Sequence, residues 1–221
     1  MNMKRKSIAI AATCCLLGLT SCGTVNSAMS GHNKTTEFYR IFDVHTDADR
    51  QTVSDLASTG LSKWVSDVNE RRPIPSQATA PEKAGRFQLK QVEMTGNMAA
   101  LMAMSGSAVP SAVDCSGAVW IGHAVKSIAG TDGINVTTCL FQYQQGYHLD
   151  VYGVYAEKTG FTLNPYELGG KMARAVTGDA GEWMEKMIAD TAKEIQQGTH
   201  AKIAFVEGYP KPKGQPWWSD K

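Results

Sequence analysis

The 221-residue chain has little excess charge of either sign and no long apolar run beyond its N-terminal segment. Twenty-two lysines and arginines face 21 aspartates and glutamates, which leaves a formal charge of +1. A basic surface that would neutralise phosphates is not expected, so we predict no nucleic-acid partner. The sequence also lacks a phosphate loop, a complete catalytic triad and a close-spaced metal-ligand motif, and we predict no cofactor and no metal.

The first residues have the organisation of a secretion signal. The basic stretch Lys4–Lys6 precedes an apolar run over residues 8–19, and the small residues Thr20 and Ser21 stand before Cys22. The apolar run has about a dozen residues, whereas a helix that spans a bilayer needs about 20. The pattern therefore indicates a cleaved signal and not a transmembrane helix.

The tetrapeptide Leu19–Cys22, Leu-Thr-Ser-Cys, resembles the lipobox of bacterial lipoproteins. The resemblance implies that residues 1–21 are removed as a signal peptide and that Cys22 is acylated. Two or more acyl chains hold a protein stably, so the lipid bilayer is expected to be a partner through Cys22. Because Gly23 follows the cysteine where retained lipoproteins often have Asp, we expect an outer-membrane anchor facing the periplasm, with the cell surface as the other location.

The mature chain divides into three parts by composition. Residues 22–36 are small and polar without periodicity, and we interpret them as the acylated cysteine followed by a flexible tether. Residues 37–207 have the length of one domain. Residues 208–221 contain prolines and tryptophans and form a mobile tail in this interpretation.

Only Cys115 and Cys139 remain once the signal is removed and Cys22 is acylated. The expected compartment is oxidising, which favours a disulfide between them. In a simple hairpin around residues 130–133, Cys139 pairs near Ala124, and an extended strand would then hold the two sulfurs about 30 Å apart. The bridge therefore requires a chain reversal at residues 116–117, which we predict together with the disulfide.

Apolar periodicity predicts an α+β fold, with an antiparallel sheet, a central meander and amphipathic helices packed mainly on one face. Helical spacing spans residues 53–68, with Asp47 as a possible N-cap, and two further helices are predicted at 165–176 and, after Asp179, up to Gly198. Strand patterns occupy residues 38–44, 87–94, 118–128, 134–143, 147–155 and 201–207.

Two short motifs resemble the NlpC-type peptidoglycan endopeptidases. Residues 114–119, Asp-Cys-Ser-Gly-Ala-Val, are similar to the nucleophile motif, and residues 147–152 are similar to the histidine strand. The resemblance implies that Cys115 is a nucleophile at the start of a helix and that His148 is its base. The β-branched and aromatic residues 119–125 favour a strand instead. We therefore predict a structural Cys115 and keep the cysteine peptidase as the alternative function.

Two groups of residues have the chemistry of metal ligands. The first group consists of Met94, Met98, Met102 and Met104. It lies in an apolar segment, where thioethers fill core gaps, so we interpret it as core or an apolar flap and not as a Cu(I) site. The second group consists of His123, His148 and Asp150. These residues should share one face of the meander across strands about 10 Å apart, and we interpret them as structural.

The C-terminal tail ends in the adjacent tryptophans Trp217 and Trp218. They are candidate contacts for a partner or a bilayer interface, or they fold back over the apolar surface of the domain. A tethered small domain without a complete catalytic motif suits a binding module. We expect a membrane-anchored periplasmic lipoprotein with a binding or envelope-assembly role and an envelope protein as its partner.

Overall fold

In the parts that the structure describes, the chain folds around an antiparallel sheet covered by two helices. The computed structural model describes residues 32–74, 79–92, 96–97, 111–127, 131–159, 179–212 and 216–219. In chain order, the elements are β1 (His32–His45), α1 (Arg50–Ser62), β2 (Val68–Arg71), β3 (Gln88–Gln91), β4 (Ser111–Asp114), β5 (Trp120–Lys126), β6 (Thr131–Tyr143), β7 (Gly146–Thr159), α2 (Ala180–Thr199), β8 (Lys202–Tyr209) and a 3-10 helix (Trp217–Ser219).

The main sheet has six strands in the order β2-β5-β6-β7-β1-β8, and every neighbouring pair is antiparallel. Strands β5, β6 and β7 form the predicted meander, and β3 pairs with β4 in a separate two-stranded sheet. The predicted α+β fold is confirmed. The short strands β2 and β4 were not predicted, because four residues give too little alternation to indicate a strand.

Side-chain alternation divides the main sheet into two faces. One face packs against both helices and forms the larger core, as predicted. Its buried residues include Phe42, Leu61, Trp120, Leu140, Leu149, Val151, Met184, Met187 and Ile188. The opposite face carries a smaller cluster formed by Ile41, Phe87, Cys115, Ala118, Cys139, Phe141 and Tyr152.

Helix α1 begins two residues later than the predicted cap implies. The carboxylate of Asp49, not that of Asp47, accepts hydrogen bonds from the backbone N–H groups of Gln51 and Thr52. The helix ends at Ser62, and the residues at the end of the predicted stripe enter β2. An apolar stripe can continue across a helix end into a strand on the same core, so periodicity alone placed this boundary too late.

Helix α2 begins after Asp179, as predicted, and the Asp179 carboxylate accepts from the Glu182 N–H at 2.7 Å. The predicted stop at Gly198 is wrong, because the left-handed residue that ends the helix is His200. Gly198 instead lies against α1, where an added Cβ would be 2.6 Å from a Leu56 methyl. Gly60 similarly faces Thr191 of α2. Both glycines allow the helices to pack closely.

Cys115 and Cys139 form the predicted disulfide, with their Cα atoms 6.0 Å apart. The predicted chain reversal precedes β5: the Ala118 N–H donates to the Cys115 carbonyl at 3.0 Å, and Gly117 has a φ of +88°. The predicted register is wrong, since Cys139 pairs with Ile121 and not with Ala124. This three-residue shift brings Cys139 close to the turn.

The start of the domain differs from the predicted boundary at residue 37. Strand β1 begins at His32, which pairs with Thr159, so the last five residues of the predicted tether belong to the sheet. These residues are polar, and polar residues in a ladder give no apolar alternation to detect. Strand β8 likewise continues to Tyr209, two residues into the predicted tail.

Several sequence-based predictions lie outside the described residues. They are the signal peptide, Cys22, the four methionines of the apolar segment and the predicted helix at 165–176. None of the described helices is long and apolar enough to cross a membrane.

Removing the disulfide should lower the free energy of unfolding by about 3 to 4 kcal/mol, because the bridge closes a loop over a sequence separation of 24 residues. Urea denaturation of the Cys115→Ala/Cys139→Ala variant measures this loss. The control is the native protein with reductant, which should match the variant. A variant as stable as the oxidised protein would contradict the prediction.

Candidate functional site

A groove of about 790 Å³ opens between α2, β1 and the C-terminal segment. Its floor comes from residues of β1 and β7, and one wall comes from the first turns of α2. The other wall is formed by residues 209–212 and 216–218. The volume falls within the ~300–1,000 Å³ that is usual for ligand sites, which makes this groove the candidate functional site.

Arg40 lies at the floor of the groove and is only 1% exposed. One terminal nitrogen, Nη1, donates to the Tyr39 carbonyl at 2.8 Å, and Nη2 forms an ion pair with Glu185 of α2. The guanidinium carbon lies 4.1 Å from the centre of the Phe38 ring. Its buried Nε has no hydrogen-bond partner within the described parts of the chain. The arginine is therefore held firmly but keeps one donor unused.

Gly208 makes the space that Arg40 occupies. It pairs with Arg40 across the β1–β8 ladder. A Cβ at this position would be 2.7 Å from Arg40 Cδ and 2.8 Å from Nη1. Real Cβ atoms do not approach other atoms so closely, so a side chain on Gly208 would displace the guanidinium.

The two tail tryptophans pack on the domain itself. Trp218 stacks on Phe205 with ring centres 5.0 Å apart, and Trp217 and Trp218 lie 5.5 and 5.2 Å from the ring of Phe42. Of the two alternatives drawn from the sequence, the structure shows the folded-back arrangement. Both tryptophans also line the groove, so this arrangement places them beside a candidate ligand surface.

The polar groups on the groove lining differ in whether they have hydrogen-bond partners. Its three carboxylates already have donors: Glu185 pairs with Arg40, Glu182 pairs with Lys186 at 2.6 Å, and Asp179 caps α2. Three donors on the lining have no acceptor anywhere in the described ranges: Arg40 Nε, Trp217 Nε1 and the Lys211 ammonium. The groove lining therefore includes three donors that a ligand acceptor could satisfy.

The opposite face of the sheet holds the residues of the peptidase alternative. Cys115 is bonded to Cys139 and is followed by a turn and a strand, so in this state its sulfur is not a thiolate. His148 pairs with Phe141 in the β6–β7 ladder, and its ring contacts Tyr143 at 5.8 Å. Burial lowers the pKa of His148, which favours the neutral imidazole.

Asp150 is a fully buried carboxylate on this same face. Its Oδ2 accepts from the Phe87 N–H at 2.9 Å, while Oδ1 has no partner among the residues the structure describes. Burial raises the pKa of Asp150 to about 7, against the opposing effects of the Phe87 hydrogen bond and of Arg86. Asp150 therefore fixes the segment before β3 to the sheet and titrates near neutrality.

His123 shares this face with His148 and Asp150, as predicted, but no metal site is formed there by the described residues. His123 Nδ1 lies 3.0 Å from the Thr137 hydroxyl, and Nε2 lies 3.5 Å from Arg71. Across the described ranges, no three histidine, cysteine or acidic side chains are grouped closely enough to hold a metal ion.

Comparisons with known proteins do not place the chain in a family. No protein-family model matches the sequence, and no curated protein matches it. Among solved structures, the chain is similar to a protein of unknown function from Staphylococcus aureus at 10% identity, covering 75% of this chain and 96% of the other, with a TM-score of 0.30. That likeness is too weak to define a shared fold.

Sequence reasoning found the tail tryptophans but missed Arg40 and Glu185 on the groove lining and Gly208, which pairs with Arg40. One signal was present: Arg40 stands between Phe38 and Phe42 at an inward position of an alternating strand. An arginine at a core position requires a buried partner or a function. Glu185 and Gly208 carry no such local signal.

Replacing Asp150 by Asn should remove a pH-dependent cost to stability. The folded pKa of about 7 lies above the ~4 of an unfolded aspartate. The cost is therefore absent below about pH 4, grows between pH 4 and 7 and is complete above pH 7. Above pH 7 the variant should be more stable by up to about 4 kcal/mol, at roughly 1.4 kcal/mol per pKa unit.

Urea denaturation from pH 4 to pH 8 measures this difference. The matched control, Asp67→Asn, makes the same change at an exposed position. A difference between Asp150→Asn and the native protein that is the same at every pH would contradict the assignment.

Proposed function

We propose that this chain is a lipid-anchored envelope lipoprotein whose domain binds a partner and does not catalyse a reaction. Acylated Cys22 holds it in the outer membrane, facing the periplasm or the cell surface. The lipobox-like residues 19–22 support the anchor, and the absence of a second long apolar run in the sequence leaves lipid as the means of attachment.

The groove beside Arg40 is the observation that carries the binding role. It combines a buried cation, two tryptophans and unused hydrogen-bond donors in one concave surface. Ligand sites have this composition: mostly apolar walls with a few polar groups that fix orientation. We propose that an envelope protein is the partner and that it contacts this groove.

The disulfide weighs against the cysteine peptidase. A cysteine nucleophile acts as a thiolate, and the Cys115 sulfur is bonded to Cys139 and buried. The residues after it form a turn and β5, so Cys115 does not stand at the start of a helix as the peptidase motif requires. The groove, in contrast, lies on the helix-covered face and remains open while the disulfide is intact.

The proposed function predicts partner capture that depends on both the anchor and the groove. A photoreactive amino acid at Lys186, which is exposed at the groove wall, should give a discrete cross-link to an envelope protein in living cells. The matched control is the same amino acid at Val125, which is 66% exposed on β5 and outside the groove. It should give no such product.

The anchor is tested in the same cells by palmitate labelling and membrane fractionation. The native protein should carry the label, and Cys22→Ser should lose both the label and the Lys186 cross-link. An unlabelled native protein would refute the lipoprotein assignment. Equal cross-linking from Lys186 and Val125 would refute the groove as the binding surface.

A further inference from the structure

We propose that the groove binds the free carboxyl-terminal end of an extended polypeptide, with the terminal carboxylate held by Arg40, Trp217 and Lys211. This inference rests on the proposed function, because it gives the chemistry of the partner segment that enters the same groove.

The unused donors select an acceptor group. The groove's own carboxylates are engaged by Arg40, Lys186 and the first turn of α2. A buried N–H group without an acceptor costs free energy, and both Arg40 Nε and Trp217 Nε1 are in that condition within the described chain. An incoming oxygen would relieve both. Most buried polar groups in proteins have partners, so two orphan donors lining one groove point to a ligand.

A carboxylate fits these donors better than a neutral carbonyl. Arg40 is permanently charged and Lys211 is an exposed ammonium without an ion-pair partner in the described ranges. Hydrogen bonds from cationic groups to a carboxylate are roughly twice as strong as those between neutral groups. Glu185 shares the charge of Arg40 and Glu182 pairs with Lys186, so within the described ranges Lys211 is the lining cation that has no carboxylate partner.

The dimensions and walls of the groove indicate a peptide. A volume of about 790 Å³ far exceeds a single carboxylate, so the ligand must also fill the space along the walls. The groove lining mixes aromatic and proline surfaces with polar side chains, including those of Phe38, Tyr209, Pro210, Thr36 and Asp179. A peptide presents both apolar side chains and backbone amides to such a lining, whereas a hydrocarbon chain would leave Arg40 Nε and Trp217 Nε1 without acceptors. Capture of a terminal carboxylate is an established mode of peptide recognition.

The ligand must displace part of the wall to reach the deepest donors. Arg40 Nε and Trp217 Nε1 are shielded from water, so a ligand reaches them only when neighbouring side chains move. Side-chain movement of this kind is common at binding surfaces. Ligand entry should therefore move the Trp217 ring, and the NMR resonance of the Trp217 indole should shift.

The test compares free and amidated carboxyl termini. The full acylated protein in detergent is immobilised and exposed to a random tetrapeptide library with free carboxylates, and separately to the same library with C-terminal amides. Retained peptides are measured by mass spectrometry. We expect the free-acid library to be retained at least tenfold more, with a shift of the Trp217 indole resonance when the retained peptides are added.

Two conservative variants identify the donors without disturbing the core. Trp217→Phe keeps the aromatic packing and loses the N–H, and Lys211→Gln removes an exposed charge; each should reduce retention about tenfold. Their controls are Trp183→Phe on α2 and Lys202→Gln at the far end of β8, neither of which lines the groove. Both controls should bind as the native protein does.

Each other result overturns the proposal. Equal retention of acids and amides would show that no carboxylate is read, and no retention of either would show that the groove does not take peptide termini. Retention of dodecanoate without peptides would assign the groove to a lipid acid. Unchanged retention in both variants would place the contact elsewhere. If the Lys186 cross-link persists in any of these cases, the proposed binding function stands and only the carboxylate inference fails.

Discussion

The burial of Arg40 is the constraint around which the groove end of the domain is arranged. Removing a guanidinium from water is costly unless nearby groups replace its hydration. Glu185 of α2, the Tyr39 carbonyl and the Phe38 ring supply those contacts, and Gly208 of β8 leaves the volume free. The Arg40 side chain thus fixes the position of α2 through Glu185, requires a glycine at position 208 of β8 and shapes the groove floor.

The two faces of the sheet are covered in different ways. The face opposite the helices is closed by the Cys115–Cys139 bridge and by the hydrogen bond from the Phe87 N–H to Asp150. Its buried groups hold the segment before β3 and the start of β5 in place. The helix-covered face ends in a groove whose far wall is the tail. The helix-covered face therefore carries both the larger core and the groove.

Local sequence signals predicted most of the framework. Alternation predicted the meander and β1, Asp179 predicted the start of α2, and the composition of residues 116–117 predicted the turn before β5. The errors came from interactions between distant segments. The β5–β6 register depends on how the hairpin closes, and Gly198 serves contact with Leu56 and not a helix end.

The candidate site was harder to predict than the fold for the same reason. Trp217 and Trp218 were conspicuous in the sequence, but their position depends on Phe42 and Phe205 in two separate strands. The pairing of Arg40 with Glu185 joins positions 145 residues apart. No local pattern specifies a contact of that range, and only the assembled sheet and helix bring the two side chains together.

The central claim is that Arg40 is kept for recognition and not for stability, and the double variant Arg40→Met/Glu185→Leu tests it most directly. Replacing a buried ion pair by apolar residues of similar size is often neutral or stabilising. We predict a free energy of unfolding within about 1 kcal/mol of the native value, or above it, together with loss of carboxylate binding. A variant that unfolds more easily by several kcal/mol, or one that binds free peptide termini as the native protein does, would contradict the account.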